Sequence, residues 1–239
     1  MSTTCGCGRN PVALTYSRIV GGEDAIESSW PMAVYLFLNN LQLICGGTIV
    51  SESFVLTAAH CLRDIYSICP WNLSIVAGVT NRSDTNAIVR KVDELHIHPD
   101  YVFFAPDRRH DIALLHLETP LIFDENRQIS RTCIRQQFST SATEYPPAGA
   151  RLAVVGWGTR SSSQTILPSI LQQAEVFVIN NNDESCLESI RDPMSQLCAG
   201  LPQGGKGMQC TNISLQDNTF LNTEFCSNFR CLSGFVSIH

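Results

Sequence analysis

A series of short β-prone runs, separated by turn residues, constrains the fold of this chain more than any other feature. The runs are "MAVYLFL", "QLICGGTIV", "FVLTAAHC", "LSIVAGV", "AIVRKVDELHI", "DIALLHL", "RLAVVGWGT", "QQAEVFVI" and "QLCAG". Helix signals are sparse and suggest one short helix in "NNDESCLESI" and one turn in "AHCLRDI". Many short strands with Gly and Pro turns are typical of an all-β barrel or sandwich. The polar segment 123–150 indicates a connection between two β units.

Composition narrows the class of protein. The chain has 239 residues, of which 44% are hydrophobic and 16% charged, which is typical of a globular protein. The net charge is −6 with no basic cluster, so we expect no nucleic-acid partner. The longest apolar runs, such as "AVYLFL", are too short to cross a bilayer, so we expect no membrane partner either.

The 11 cysteines indicate an oxidising compartment and several disulfides. Three glycosylation sequons agree with this interpretation and begin at Asn72, Asn81 and Asn212. The first residues have no apolar core of the signal-peptide type. We expect an extracellular location with a true start upstream, while a fragment or a chain that is not secreted stays open.

One histidine and one aspartate stand in an informative order. The run "VLTAAHC" ends in His60 and Cys61, and Asp111 precedes the apolar run "IALLHL" 51 residues after His60. Taken alone, such a histidine is most often structural and such an aspartate a turn or cap residue. Taken together, His followed by Asp fits a catalytic triad in which the serine comes last.

Longer motifs make the interpretation specific. They are "RIVGGEDA", "WPMAVYL", "CGGTIVSESFVLTAAHC", "HPDY", "DIALLHL", "VVGWGT", "LQQAEVFVI" and "LCAG". With these motifs the chain resembles the trypsin/chymotrypsin-like serine proteases from Arg18 to Lys206. The resemblance implies an all-β fold of two antiparallel six-stranded barrels and a function in peptide-bond hydrolysis.

The resemblance also implies a domain organisation. A pro-segment or linker covers 1–18, and the peptidase domain covers 19–209, with barrels at about 19–130 and 131–209. A divergent tail covers 210–239. Because too few residues follow Ser214 for the family's last strands, we expect a second barrel that is incomplete at its C-terminus. Its unpaired edges predict poor folding or association.

The resemblance assigns roles to particular residues. His60 would be the general base, and Asp111 would hold its ring in the correct tautomer. Cleavage between Arg18 and Ile19 would activate a zymogen. Three disulfides are implied as well. They pair Cys45 with Cys61, Cys186 with Cys198, and Cys133 with either Cys5 or Cys7.

The sequence leaves the family pattern directly after Lys206. The family continues with a short loop ending in Gly-Asp-Ser-Gly-Gly-Pro, whose serine attacks the substrate and whose amides form the oxyanion hole. This motif occurs nowhere in the chain. Ser214 follows a cysteine at the family's spacing, but the flanking family residues are replaced. The replacements are Asn212 for Gly, Ile213 for Asp and Leu215 for Gly.

These observations predict a trypsin-like serine endopeptidase domain that is inactive as written, with a non-catalytic pseudoprotease or binding module as the alternative. If the chain were active, its partners would be protein or peptide substrates, or protease inhibitors, and no cofactor is expected. The residues after Lys206 have two explanations, which stay open: a transcript or gene-model artefact, or a real truncated isoform.

The remaining histidines have simpler explanations. His96 and His98 alternate along a strand, but no third ligand accompanies them, so no metal site is expected. The turn "HPDY" accounts for their position. We expect His110 and His116, which flank the Asp111 strand, to be exposed or packed.

Overall fold

The computed structural model of the chain is almost entirely β, as the sequence predicts. It describes residues 5–6, 8–10, 12, 14, 22–39, 42–62, 72–103, 109–123, 128–136, 146–158, 166–187, 196–200, 213–214 and 219–222. The strands are β1 (Glu23–Asp24), β2 (Ala33–Leu38), β3 (Gln42–Ile49), β4 (Phe54–Thr57), β5 (Leu73–Ala77), β6 (Ile88–Ile97), β7 (Ala113–Leu117), β8 (Cys133–Gln136), β9 (Arg151–Gly156), β10 (Gln172–Ile179), β11 (Gln196–Gly200), β12 (Ile213–Ser214) and β13 (Thr219–Asn222).

Helical structure in the described residues is limited to two short pieces. A 3₁₀ helix spans Ala59–Leu62 and the helix α1 spans Glu184–Leu187. Asp183 precedes α1, and its Oδ1 accepts hydrogen bonds from both the backbone N–H and the hydroxyl of Ser185. No helix in this part of the chain is long and apolar enough to cross a bilayer.

The first half of the chain forms a closed barrel. Its strands follow the order β2-β3-β4-β7-β6-β5, and β5 pairs with β2 to close the ring. In β7 every second side chain points inward, so Ala113, Leu115 and Leu117 are buried while their neighbours are only partly covered. This period of two is the pattern expected of a strand with one face on a core. The expectation of a six-stranded barrel is confirmed for this half.

The second half forms an open arrangement among the described residues. β10 pairs with β9, β1 and β11, and β12 adds to the far edge of β11. β8 and β13 form a separate two-stranded sheet. The second barrel is therefore partly incomplete, as expected from the sequence.

Four strands lie where none was predicted, and the first of them is β1, which lies in the motif "RIVGGEDA". β8 falls inside the segment interpreted as a connection between two β units. β12 and β13 fall inside the segment 210–239, where the sequence shows no family signature. An edge strand presents unpaired backbone N–H and C=O groups, which any extended segment can satisfy whatever its side chains. These strands were missed because backbone pairing leaves little signal in so short a sequence.

The strand β9 contributes to both hydrophobic cores. Ala153 and Val155 pack in the cluster that fills the first barrel, and Leu152 and Val154 pack in the cluster of the second half. Both faces of β9 are therefore buried, which explains its near-continuous run of apolar residues. The strand fixes how the two halves of the molecule sit together.

Hydrogen bonds made by Thr80 and Arg82 also join the two halves. The indole N–H of Trp157 and the backbone N–H of Leu171 both donate to the carbonyl of Thr80. The guanidinium of Arg82 donates to the carbonyls of Leu167 and Pro168, each at 3.0 Å. The connection between β5 and β6 of the first barrel is thereby held against the second half.

Candidate active site

Strand pairing brings His60 and Asp111 to the same edge of the first barrel. β4 and β7 are antiparallel neighbours, and Thr57 at the end of β4 lies opposite Ala113 at the start of β7. His60 follows Thr57 by three positions, within the 3₁₀ helix, and Asp111 precedes Ala113 by two. The register therefore makes the two residues neighbours although 51 positions separate them.

The carboxylate of Asp111 accepts two hydrogen bonds from His60. The backbone N–H of His60 donates to Oδ1 at 2.8 Å, and the ring Nδ1 lies 2.6 Å from Oδ2. The side chains are 26% and 12% exposed respectively, so the pair is shielded without being sealed from solvent. Two bonds to one carboxylate fix both the position of the histidine backbone and the plane of its ring.

The contact also assigns the proton on the imidazole. An ionised carboxylate only accepts hydrogen bonds, so Nδ1 of His60 carries the hydrogen and Nε2 carries the lone pair. An imidazole in this tautomer can take a proton at Nε2 while Asp111 stabilises the positive ring. The arrangement can therefore act as an acid–base pair.

A disulfide anchors the turn that carries His60. Cys61, the next residue, is joined to Cys45 in β3, with their Cα atoms 6.0 Å apart. The Sγ of Cys61 lies 3.7 Å from Nε2 of His60. The sulfur and the imidazole thus share one small region, a proximity that sequence reasoning missed because it depends on the side-chain directions within the turn.

The backbone before Asp111 is bent. His110 adopts a positive φ of 60°, a conformation that residues other than glycine seldom adopt. Its ring stacks on that of His98, with centroids 5.0 Å apart and planes inclined by 16°. The N–H of His98 in turn donates to the carbonyl of Ile112. The loop that presents Asp111 is therefore buttressed by the turn after β6.

The described residues contain three disulfides, and their partners are those that the family resemblance implies. Cys186 joins Cys198, and Cys5 joins Cys133 across 128 residues of sequence. The second bond chooses Cys5 between the two candidates, and Cys7 lies outside the described residues. The N–H of Gly6 also donates to the carbonyl of Arg131, which aligns the N-terminal segment with the chain entering β8.

Several predicted site residues lie outside the described part of the chain. They are Arg18, Ile19 and Asn212, together with the side chain of Ser214. The backbone of Ser214 is described and lies in β12, opposite Gln196 of β11. The other two sequon asparagines, Asn72 and Asn81, are exposed. The catalytic, activation and glycosylation assignments stay predictions.

A second imidazole–carboxylate pair lies on the outer face of the first barrel. The Nδ1 of His116 in β7 is 2.6 Å from Oδ1 of Asp93 in β6, and Phe54 packs edge-on against the same imidazole ring. Nearby, Nε2 of His96 is 3.2 Å from a carboxylate oxygen of Glu94. The sequence did not reveal the contact between His116 and Asp93. The position of Asp93 beside His116 depends on a register shift between Val92 and Glu94, where β6 pairs with β7.

Comparisons with known proteins agree with this geometry. The family model described as Trypsin matches residues 19–211. Transmembrane protease serine 9 of Rattus norvegicus is 33% identical over 200 residues, which cover 83% of this chain and 17% of that protein. Transmembrane protease serine 11C of Mus musculus is 31% identical over 204 residues, covering 84% of this chain and 43% of that protein. The chain therefore spans less than half the length of these curated relatives.

A solved structure extends the similarity to the fold. Neuropsin, a serine protease expressed in the limbic system of mouse brain, superposes with a TM-score of 0.65 and 25% sequence identity. The superposition covers 89% of each chain. The family match, the shared fold and the His60–Asp111 contact are mutually consistent, and the chain belongs to the trypsin family of serine proteases.

Proposed function

We propose that this chain is a trypsin-like serine-protease domain that retains its acid–base pair but not its nucleophile loop, and that it does not hydrolyse peptide bonds. One observation carries the proposal. The His60–Asp111 pair is assembled at 2.6 Å in a chain whose sequence after Lys206 contains no Gly-Asp-Ser-Gly motif. The His60 imidazole is built to accept a proton, but no serine with the family's neighbours supplies one.

The physical requirements of acyl transfer explain why the pair alone is insufficient. The serine attacks the carbonyl, and two backbone amides stabilise the oxyanion that develops. Loss of a single oxyanion donor lowers kcat by about 10²–10³-fold, and loss of the nucleophile by about 10⁶-fold. Because the missing loop would supply both, we expect no measurable turnover.

Ser214 does not meet these requirements. It lies in a short strand, β12, whereas the family's nucleophile lies in a glycine-rich loop. Asn212 and Leu215 place side chains where the family has glycines that allow close approach to the substrate. Ile213 replaces the aspartate that, in the family, pairs with the ammonium released by activation. Cleavage between Arg18 and Ile19 would therefore have no acidic partner to order a substrate pocket.

A binding role is the second candidate, and the closed first barrel favours it. The strands of this barrel end at Leu117 and its core cluster extends to Leu171, so neither includes residues after Lys206. A pseudoprotease of this kind would bind proteins, peptides or protease inhibitors through its surface loops. The three disulfides and the exposed Asn72 and Asn81 fit an extracellular domain that would be secreted as a zymogen-like precursor.

Covalent labelling tests the proposal. The purified chain is cleaved after Arg18 with a protease that is then removed, and a serine-directed fluorophosphonate probe is added. We expect no labelling, while an active protease of the family treated in parallel is labelled. Labelling of this chain that is lost in the matched variants Ser214→Ala and His60→Ala would show a working nucleophile and overturn the proposal.

The origin of the tail needs a separate experiment. Sequencing the transcript across the codons for Gly204 to His239 shows whether the message continues from Gly-Gly-Lys into the tail residues. A message that instead reads Gly-Asp-Ser-Gly-Gly-Pro would make the tail an artefact, and the proposed inactivity would not apply to the natural protein.

A further inference from the structure

We propose that His60, Cys45 and Cys61 form a redox-gated site for a thiophilic divalent cation such as Zn²⁺, which becomes competent when the disulfide between the two cysteines is reduced. The proposal does not depend on whether the chain hydrolyses peptides. It gives the imidazole a second role, as a metal ligand.

The three ligand atoms are already together. One atom from each of the three side chains lies within 4.8 Å of the other two. Among the described residues, this is the one group of three or more His, Cys, Asp or Glu side chains that meets this limit. With Zn–S distances of about 2.3 Å and Zn–N distances of about 2.0 Å, ligands on one tetrahedral ion lie about 3.4–3.8 Å apart. The 3.7 Å between Cys61 Sγ and His60 Nε2 already matches that spacing.

Asp111 sets the imidazole in the tautomer that a metal requires. Its Oδ2 lies 2.6 Å from Nδ1 of His60, so the lone pair is on Nε2, the atom that faces the sulfur. Metal-binding histidines in proteins commonly donate their other ring N–H to a carboxylate, which orients the ring and makes the ligand more basic. The contact that would serve proton transfer therefore also serves metal binding.

The oxidation state of the sulfurs decides whether the site binds. In the disulfide each sulfur is uncharged and bonded to its partner, so the group offers a single strong ligand. Reduction by a small thiol consumes two thiol molecules, breaks the S–S bond, and yields two cysteine thiols and one disulfide of the reductant. Zn²⁺ then displaces the two thiol protons and binds two thiolates and one imidazole, which leaves a fourth position for water.

The fold supports a site that persists after reduction. Cys45 is held in β3, which pairs with both β2 and β4, and Cys61 lies in the 3₁₀ helix that follows β4. Their Cα atoms are 6.0 Å apart, a separation that also allows two thiolates to bind one ion. When the ion is bound, Nε2 of His60 no longer accepts a proton. Reduction in the presence of Zn²⁺ would thus convert the acid–base pair into a metal centre.

Cobalt titration tests the inference, because Co²⁺ bound by thiolates in a tetrahedral site absorbs visible light. The full chain is reduced with a phosphine without oxygen and titrated with Co²⁺, and Zn²⁺ is then added to displace it. We expect thiolate-to-cobalt absorption in the reduced chain and none in the oxidised chain. Absorption of equal strength in the oxidised chain would overturn the proposal.

Variants separate this site from other thiols in the chain. We expect the reduced Cys45→Ser/Cys61→Ser variant to lose the absorption and the matched Cys186→Ser/Cys198→Ser variant to keep it. Asp111→Asn should weaken Co²⁺ binding by about 10–100-fold, the usual effect of removing an outer carboxylate partner, and His60→Ala should weaken it further. If His60→Ala left Co²⁺ binding unchanged, the imidazole would not be a ligand. This conclusion holds whether the reduced chain is folded or unfolded.

Discussion

Trp30 donates its indole N–H to the side-chain oxygen of Gln173 at 2.8 Å, which joins the two halves of the molecule across 143 residues of sequence. The two residues are only 6% and 1% exposed. Nε2 of Gln173 in turn donates to Glu23 in β1. A buried polar group that loses its partner costs more than the bond itself contributes, so this contact makes the junction between the halves sensitive to substitution.

The first prediction concerns this junction. Gln173→Met keeps the side-chain length but leaves the Trp30 N–H without that acceptor, and we expect the free energy of unfolding to fall by about 1–3 kcal/mol. Urea unfolding with the disulfides intact measures the change. In a Trp30→Phe background, which has no indole N–H, Gln173→Met should lower the free energy of unfolding by a smaller amount. Additive effects of the two substitutions would show that this hydrogen bond does not stabilise the fold.

The second prediction concerns the tautomer of His60. Asn at position 111 can donate as well as accept, so Asp111→Asn should raise the fraction of neutral His60 that carries its proton on Nε2. Nitrogen-15 NMR of the imidazole at a pH above about 8, where an ordinary histidine is neutral, measures the fraction.

The second imidazole–carboxylate pair provides the control for that measurement. His116 and Asp93 have the same 2.6 Å separation at another place on the barrel. Asp93→Asn should change the tautomer of His116 and leave His60 as it was, and Asp111→Asn should do the reverse. A His60 signal that is indifferent to Asp111→Asn would contradict the geometry on which the candidate site depends.

The candidate pair could be predicted from sequence because its two residues lie in long, distinctive motifs. Both "LTAAHC" and "DIALLHL" combine a partly buried strand with a polar residue beside it, and their resemblance to the trypsin-like proteases implies the roles of His60 and Asp111. The alternation of buried and partly covered side chains in strands such as β7 predicts a barrel or a sandwich, and the family resemblance implies the six-stranded barrel.

Other features depend on long-range pairing that the sequence does not encode locally. The contact between Asp93 and His116 requires the register shift between Val92 and Glu94. β8 and β13 stabilise each other through backbone pairing, and each is only four residues long. The proximity of Cys61 Sγ to the His60 ring follows from side-chain directions in one turn. The hydrophobic periodicity of the sequence gives no information on those directions.

The third prediction compares two disulfides. The bond between Cys5 and Cys133 spans 128 residues, and that between Cys186 and Cys198 spans 12. Because a cross-link restricts the unfolded chain more when it closes a longer loop, replacing the first pair with serine should cost about 5 kcal/mol and the second about 3 kcal/mol. Urea unfolding of the two double-serine variants measures both losses. A larger loss for the shorter loop would show that native contacts, rather than loop entropy, determine the stabilisation.

The fourth prediction concerns pH. Burial raises the pKa of the Tyr35 phenol above its ordinary value, and the positive charge of Arg82 offsets part of that rise. The aromatic rings of Trp157 and Phe37 pack edge-on against Tyr35, which explains why its ionised form is disfavoured. In the unfolded chain the phenol loses its proton at about pH 10, while the folded chain still holds it.

The sign of the effect on stability follows from this difference. The contribution of Tyr35 is fully present below about pH 10 and is lost as the pH rises through the higher pKa of the folded state. Thermal unfolding of the chain should therefore show a Tm that declines above about pH 10, and Tyr35→Phe should make that decline shallower. Tyrosinate absorbance provides an independent measurement, because one of the five tyrosines should ionise late and that late phase should be missing from Tyr35→Phe. If the variant and the parent chain lost stability with identical slopes, the Tyr35 phenol would have the same pKa in the folded and unfolded chains.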